Sequence, residues 1–392
     1  MVAICGAKGQ KVTSAHCGGC HHTNTAHAQK PPSRHLTITS PDQVPRMLKR
    51  PDRILRKTLL SLMLLMCAVC IRATPGLAAT ALHFSLDRPA DGAAAPFILA
   101  ANRGLYRAEG LTVTTASATN SPDAIARVAS GSSDIALADI NALIRFRDKD
   151  GSPPVKAVFV LYNKAPYAII ARKSRDISTM SDIEGKTLGI ADGDLAARLW
   201  PAIARHNNVR LGKVKTEKIS AAVREPLLSA GQVDAVTGFS FLSAINLRDR
   251  GIPANDLAVL RFSEFGSEVY GHALIVNPKF AADNPDEVKA FVRATIAGIR
   301  LAIKDPAHAI DDVVAQVSGA SRDIELERLR ASIADNIVTD EVRTNGLGGI
   351  DDNRFVAGVS QIAENYEFRK RPLPSDIFDD TFLPPLNMRK VD

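Results

Sequence analysis

From residue 80 the chain alternates short apolar runs with segments of helical spacing. LHFSLD (82–87) and LTVTT (111–115) alternate as strands do. PFILAANRG (96–104) between them reads as a helix ended by Gly104. Ser121-Pro122 reads as an N-cap followed by proline at the first helical position, opening a helix that stops at Gly131. DIALA (134–138) is a strand and 140–148 a short helix. VKAVFVL (155–161) is a continuous apolar run, suited to a strand buried on both faces.

A second set follows. YAIIAR (167–172) and GKTLGIA (185–191) are strands, and a helix runs from about 194 to 207, where Pro201 is expected to kink or restart it. A helix over 221–230 stops at Gly231, VDAVT (233–237) is a strand, and the helix 240–250 stops at Gly251. LAVLRF (257–262) and HALIVN (272–277) are further strands. The two sets echo each other: Ser130-Gly131 through Asp134-Ile135 matches Ala230-Gly231 through Asp234-Ala235, 100 residues on. Two such units argue for two α/β lobes. The rest is helical. Asn284-Pro285-Asp286-Glu287 reads as a capping box, and Val288, Phe291, Val292, Thr295, Ile296, Ile299 and Ile303 mark one helix face.

Composition changes the picture once the chain is divided near residue 78. The first 78 residues hold 11 of the 49 Lys and Arg, 2 of the 42 Asp and Glu, and all five Cys. The remainder carries 38 basic and 40 acidic residues, so the net charge of +7 belongs to the leader. Charge therefore gives no support to nucleic-acid binding. Within the leader, MLKRPDRILRKT (47–58) precedes 13 uncharged residues (59–71) and the small residues around Ala78 to Ala81. This is the layout of a secretory signal peptide over 47–79, too short for an ordinary membrane span. Residues 1–46 read as a non-native or disordered extension. Their CGGCH, Cys17 to His21, matches a haem-attachment signature, but it precedes the export signal and lacks a shell to orient ligands. No haem, zinc or other cofactor is expected.

A secreted two-lobed α/β protein without Cys has solute capture as its default reading, because ligands bind beyond the carboxyl ends of the strands. The residues then go further. PFILAANRGLYRAEGLTV, ASGSSDIALAD, GSPPVKAV, SDIEGKTLGI, SAGQVDAVTGF and NPDEVKAFVRATIAG follow in register over 82 to about 305. Together they resemble the periplasmic binding proteins for sulfonates, taurine, nitrate and thiamine-pyrimidine precursors. The resemblance implies a type II periplasmic-binding fold, two α/β lobes joined by a two-strand hinge, serving an ABC importer with a permease in the inner membrane. It implies one lobe of 80–167 plus 274–392 and another of 168–273, with crossings near Pro166 and Gly271. It further implies a periplasmic monomer that takes a small-molecule ligand. One departure stands out: the loop after the first strand, Asp87 to Gly92, lacks the aromatic residue that relatives often carry there.

The strand ends supply the expected ligand contacts. They are Asp87 and Arg88; Asn120 and Ser121 at a helix start; Asp139 and Asn141; Tyr162; Asp192, Gly193 and Asp194; Arg198; Phe239 and Ser240; and Tyr270 at the second crossing beside Gly271 and His272. Trp200, the single Trp, reads as core. These loops offer Asp, Asn, Ser and Tyr more than clustered cations, which favours a pyrimidine-precursor-like ligand. A sulfonate or carboxylate would depend on Arg88 or Arg198. No catalytic constellation emerges: the four His after the leader are scattered, and Gly238-Phe239-Ser240 lacks the closing glycine of a nucleophile elbow. The reading is therefore a binder and not an enzyme. The alternatives are a thiamine-pyrimidine-synthase-like enzyme and a ligand-sensing module for a membrane receptor.

Overall fold

The computed structural model describes residues 79–191 and 193–391. The expectations for residues 1–78, signal peptide and Cys17–His21 included, and for Asp192 lie outside the described residues. Among the described residues ten strands follow in chain order: β1 (Thr80–Leu86), β2 (Leu111–Ser117), β3 (Ile135–Asp139), β4 (Lys156–Val160), β5 (Tyr167–Arg172), β6 (Thr187–Ala191), β7 (Lys215–Ile219), β8 (Ala235–Phe239), β9 (Leu257–Arg261) and β10 (His272–Val276).

They form two five-stranded sheets of one plan, β2-β1-β3-β10-β4 and β7-β6-β8-β5-β9. In each, four strands run in one direction, and the fourth in order (β10 or β5) is antiparallel to both its neighbours. The echo in the sequence has a structural cause. Gly131 and Gly231 end their helices with φ of 79° and 71°, a conformation glycine adopts without strain. The aspartate three residues on then clamps the neighbouring strand. Asp134 accepts from the His83 amide at 2.7 Å and donates its own amide to the His83 carbonyl; Asp234 treats Thr187 the same way, at 2.8 Å.

The long helix Pro285–Lys304 returns to the first sheet. Val288, Phe291, Val292, Thr295, Ile296 and Ile299 are all buried there, and Phe291 packs on Phe84 and Tyr106 with ring centroids 5.1 and 4.9 Å away. Burial of these side chains is worth about 1.5–3 kcal/mol each for the larger ones, which holds the C-terminal third on the first lobe.

Three local expectations are corrected, and one strand is added. Asn120, not Ser121, caps the helix Ser121–Ser130, which frees the Ser121 hydroxyl. The helix Leu195–His206 runs through Pro201 without restarting, because Leu199, Trp200 and Ile203 around it are all buried in core. Asn284 makes no side-chain cap for the long helix; its amide donates instead to the Phe280 carbonyl, and Glu287 accepts from Thr80. β7 was not foreseen: KTEKI is an edge strand exposed along most of its length, so it carries no apolar alternation.

Candidate functional site

β1 and β3 end side by side, and their last residues build a buried polar network. Asp87, just past β1, is almost fully buried. Its Oδ2 accepts from Ser121 Oγ at 2.8 Å and lies 2.7 Å from His272 Nε2. Burial would raise the Asp87 carboxyl, but His272 and Arg88 beside it, with the bonds from His272 and Ser121, hold it well below the usual carboxylate range. An ionised carboxylate only accepts, so His272 Nε2 is the donor. Its other ring nitrogen, Nδ1, is buried without a hydrogen bond, 4.0 Å from Asp139 Oδ2.

Asp139 caps the helix Ile140–Arg147 and is wholly buried. Its Oδ1 accepts from the backbone and side-chain amides of Asn141 at 2.8 and 2.9 Å, and its Oδ2 from the Tyr167 hydroxyl at 2.5 Å. Burial first, then the Asp139 charge, push the Tyr167 hydroxyl well above its ordinary value, so Tyr167 stays the donor. Asn141 Nδ2 also reaches the Tyr167 hydroxyl at 3.1 Å and the Tyr270 carbonyl at 2.7 Å.

An aromatic group lies beside this network. His272 meets Tyr162 edge-on at 5.1 Å and Phe239 at 5.5 Å; Phe239 is 6.2 Å from Phe241 and 6.1 Å from Tyr167. Two polar atoms in the group, Tyr162 Oη and Ser240 Oγ, are buried without a partner, as is His272 Nδ1. Arg88 enters from the first loop. Its guanidinium pairs with Asp87 at 3.3 Å and Asp91 at 3.4 Å. It also lies over the rings of Phe239 and Phe241, 5.8 and 5.6 Å from their centroids. Burial alone would lower the Arg88 guanidinium, but Asp87 and Asp91 hold it above its ordinary value. The loop that lacks an aromatic residue thus sends a guanidinium onto the rings of the other lobe.

The remaining expected residues are placed differently. Asp194 caps the helix Leu195–His206 and is spent on Arg224 at 2.7 Å and Thr237 at 2.8 Å. Gly238 lets that cluster close, since a Cβ there would lie 2.6 Å from Ser243 Oγ and 3.1 Å from Arg224. Gly193 is exposed with φ 77°, Arg198 is exposed on its helix, and Asn120 is exposed at its cap. Trp200 is core, beside Phe262. The structure brings together Asp87, Arg88, Ser121, Asp139, Asn141, Tyr162, Phe239 and Ser240. It adds His272, Asp91, Tyr167 and Phe241. The pairing of His272, named at the second crossing, with Asp87 is not legible in the sequence because the two lie 185 residues apart. The signal that was available is that His272 opens an apolar strand, where a polar ring needs a partner. Among the described residues no group of three or more His, Cys, Asp or Glu is gathered as a metal site.

Tyr270 belongs to the hinge. The chain crosses between the sheets over 161–166 and 262–271, and the crossings touch: a Cβ on Gly271 would lie 2.9 Å from Tyr162 Cβ and 3.1 Å from Ala165 Cα. The C-terminal stretch binds both. Glu341 accepts from Asn163 at 2.9 Å, from the Tyr270 hydroxyl at 2.8 Å and from Arg354 at 2.7 Å. Arg354 donates as well to the Asn163 carbonyl at 2.7 Å and the Glu268 carbonyl at 3.1 Å, and lies 4.1 Å over the Tyr270 ring.

With this geometry in place, comparison with known proteins is informative. The chain is 27% identical over 224 residues to the riboflavin-binding protein RibY of Chloroflexus aurantiacus, a match covering 55% of this chain and 61% of that one. It is 28% identical over 227 residues to the 4-amino-5-hydroxymethyl-2-methylpyrimidine phosphate synthase of Schizosaccharomyces pombe, covering 54% and 62%. The chain thus spans about three fifths of the length of these curated relatives. The alkanesulfonate-binding protein SsuA from Xanthomonas axonopodis pv. citri, bound to MOPS, superposes with a TM-score of 0.58 at 18% identity, over 76% of this chain and 98% of that one. That likeness shows the fold, the two-lobed type II periplasmic-binding architecture. The family model described as NMT1/THI5 like matches residues 92–309, more than half of the sequence, and the chain belongs to that family.

Proposed function

We propose that this chain is the extracytoplasmic solute-binding component of an ABC-type importer. It captures a small organic molecule between the lobes and hands it to a permease in the inner membrane, acting as a periplasmic monomer. The lobes in this reading are 80–167 plus 274–392 and 168–273. One observation carries it. Three buried polar atoms without partners, His272 Nδ1, Tyr162 Oη and Ser240 Oγ, gather where the ends of β1, β3 and β8 meet. Buried polar atoms are normally satisfied, so orphans at strand ends mark where a ligand's polar groups belong. The ligand contacts proposed are Arg88, Asp139, Asn141, Tyr162, Phe239 and Ser240 with His272, and Asp192, Gly193 and Arg198 are the further contacts proposed from the second lobe.

The name of the Schizosaccharomyces pombe relative supports a second reading, a synthase-like enzyme, for which the Asp87–His272 pair would be the acid–base couple. Native mass spectrometry of protein purified from its own host weighs the co-purified molecule, and small-angle scattering then follows its rebinding. An unchanged small molecule that compacts the protein on rebinding is the expected result. Catalytic conversion of that molecule, or binding without compaction, overturns the proposal.

A further inference from the structure

Three ion pairs join the lobes, and all run in one sense. Arg205, Arg248 and Arg261, on the stretch that builds the second sheet, pair with Glu364, Glu327 and Asp335 of the C-terminal stretch at 3.0, 2.6 and 2.9 Å. The three carboxylates are anchored away from the second sheet. Glu327 lies on the helix Arg322–Ser332, whose Glu325 accepts from the Gly92 amide at 2.5 Å. A Cβ on Gly92 would lie 2.1 Å from the Glu325 carbonyl oxygen, so this helix presses directly on the first loop. Asp335 lies in the π-helical turn Ile333–Ile337; there Asn336 and Lys164 exchange hydrogen bonds at 3.1 and 3.2 Å, and Ile337 is buried in the first lobe's core. Glu364 stands two residues before Tyr366, which donates to Asp148 of the first lobe at 3.0 Å. We propose that the three pairs form a clasp governed by ionic strength, which draws the lobes together before any ligand arrives and lets them part as salt rises. The inference goes beyond solute capture, since it concerns the balance between the lobes and holds whatever the cleft takes.

Three observations carry the argument. First, the charges are segregated, arginine on one lobe and carboxylate on the other, so the pairs add to one attraction across the gap. Second, salt can reach them. Their side chains keep between 23% and 45% of their surface accessible, and pairs so exposed are screened by dissolved ions. Third, the other ties between the lobes lie out of salt's reach. Tyr167 to Asp139 at 2.5 Å and Asn141 to the Tyr270 carbonyl at 2.7 Å are buried beside the crossings, where they act as the pivot. Phe241 is buried against Tyr162, and salt does not loosen apolar contacts of this kind. An opening driven by salt therefore reports the clasp.

Small-angle scattering of the chain without ligand tests it. Raising sodium chloride from about 20 mM to about 500 mM shortens the screening length from roughly 20 Å to roughly 4 Å. The radius of gyration is expected to grow by about 1 Å, roughly a twentieth of the value for a compact body of this size. Glu327→Gln, Asp335→Asn and Glu364→Gln combined keep the shapes and remove the charges, and this variant is expected to show the expanded value at both salt levels. Asp312→Asn breaks the pair with Arg103, which is of similar exposure but internal to the first lobe, and is expected to keep the wild-type response. Hydrogen exchange of the wild type keeps the test decisive should the triple variant misfold. Amides of the helix Ser240–Asp249, on which the helix Arg322–Ser332 packs, are expected to exchange about fivefold faster at high salt, and those of the helix Pro306–Gln316 at an unchanged rate. A radius or an exchange rate over 240–249 that ignores salt, a triple variant that responds like wild type, or an Asp312→Asn variant that loses the response each overturn the clasp. Conversion of the co-purified molecule would sink solute capture and leave the clasp standing.

Discussion

Removing Arg354 should cost more than any surface ion pair, because it unties both hinge crossings at once. Its guanidinium serves Glu341, the carbonyls of Asn163 and Glu268, and the Tyr270 ring. Arg354→Met keeps the stem on Tyr270 and leaves Glu341 without its cation. Breaking a buried pair by deleting one partner costs about 3–5 kcal/mol. Here Arg354 and Glu341 keep 14% and 20% of their side chains accessible, so water screens part of the loss. Roughly 2–4 kcal/mol is the expected cost. That corresponds to a fall in Tm of roughly 3–6 °C for a chain of this size. Glu341→Gln removes the charge left behind but keeps acceptor and donor positions for Asn163 and Tyr270. The double variant should therefore recover part of the loss, with a coupling of about 1–3 kcal/mol in the cycle. Urea unfolding of all four proteins measures it. A loss below about 1 kcal/mol for Arg354→Met, or a cycle additive within about 0.5 kcal/mol, would refute the reasoning.

Tyr162→Phe should leave free-protein stability within about 0.5 kcal/mol, since it deletes an already unpartnered hydroxyl, yet weaken the native ligand by about 1–3 kcal/mol; calorimetry showing unchanged affinity would remove Tyr162 from the site. Asp87→Asn should destabilise the chain by an amount that depends on pH. The folded Asp87 carboxyl lies below its unfolded value, so its contribution is full above about pH 4 and fades as pH falls through the folded value. Urea midpoints of variant and wild type should converge below about pH 4, and a gap that widens on acidification contradicts the assignment. Gly271→Ala should push the crossings apart, because its Cβ would meet Tyr162 and Ala165 at 2.9 and 3.1 Å. A destabilisation of about 1–3 kcal/mol is expected, and none at all would mean that the crossings yield freely.

The elements that could be read from sequence were those whose own pattern carries the cause. β5 is found with the bounds YAIIAR suggested, and the helix stops at Gly131, Gly231 and Gly251 coincide with positive φ. β8 begins at Ala235 and ends at Phe239, two residues beyond the expected VDAVT, because Asp234 clamps Thr187 just before pairing starts. KTEKI offered no signal, since both faces of β7 meet water. The strand-end rule pointed to Asp87 and Asp139, which the fold joins in one buried network, and to Phe239 beside it. What joins them is set by chain segments far apart: Asp87 to His272, Arg88 to Phe239 and Phe241, Asn163 to Arg354. Choosing Ser121 over Asn120 as the cap failed for a nearer reason. Both residue types cap well, and only the demand of Asp87 for a donor decides which is released.

The interleaved strand order dictates how the molecule must be put together. The second sheet is drawn from one unbroken stretch, β5 to β9, and needs nothing downstream to complete its pairing. The first cannot close on its own early residues. β4 has β10 as its strand neighbour, and β10 also fills the gap beside β3, so two largely apolar seams wait for residues 272–276. A chain emerging from its N-terminus would finish its middle before its beginning. A truncation just before His272 should leave the middle lobe folded and the opening three strands with a bare apolar edge, the kind of surface on which chains stick to one another.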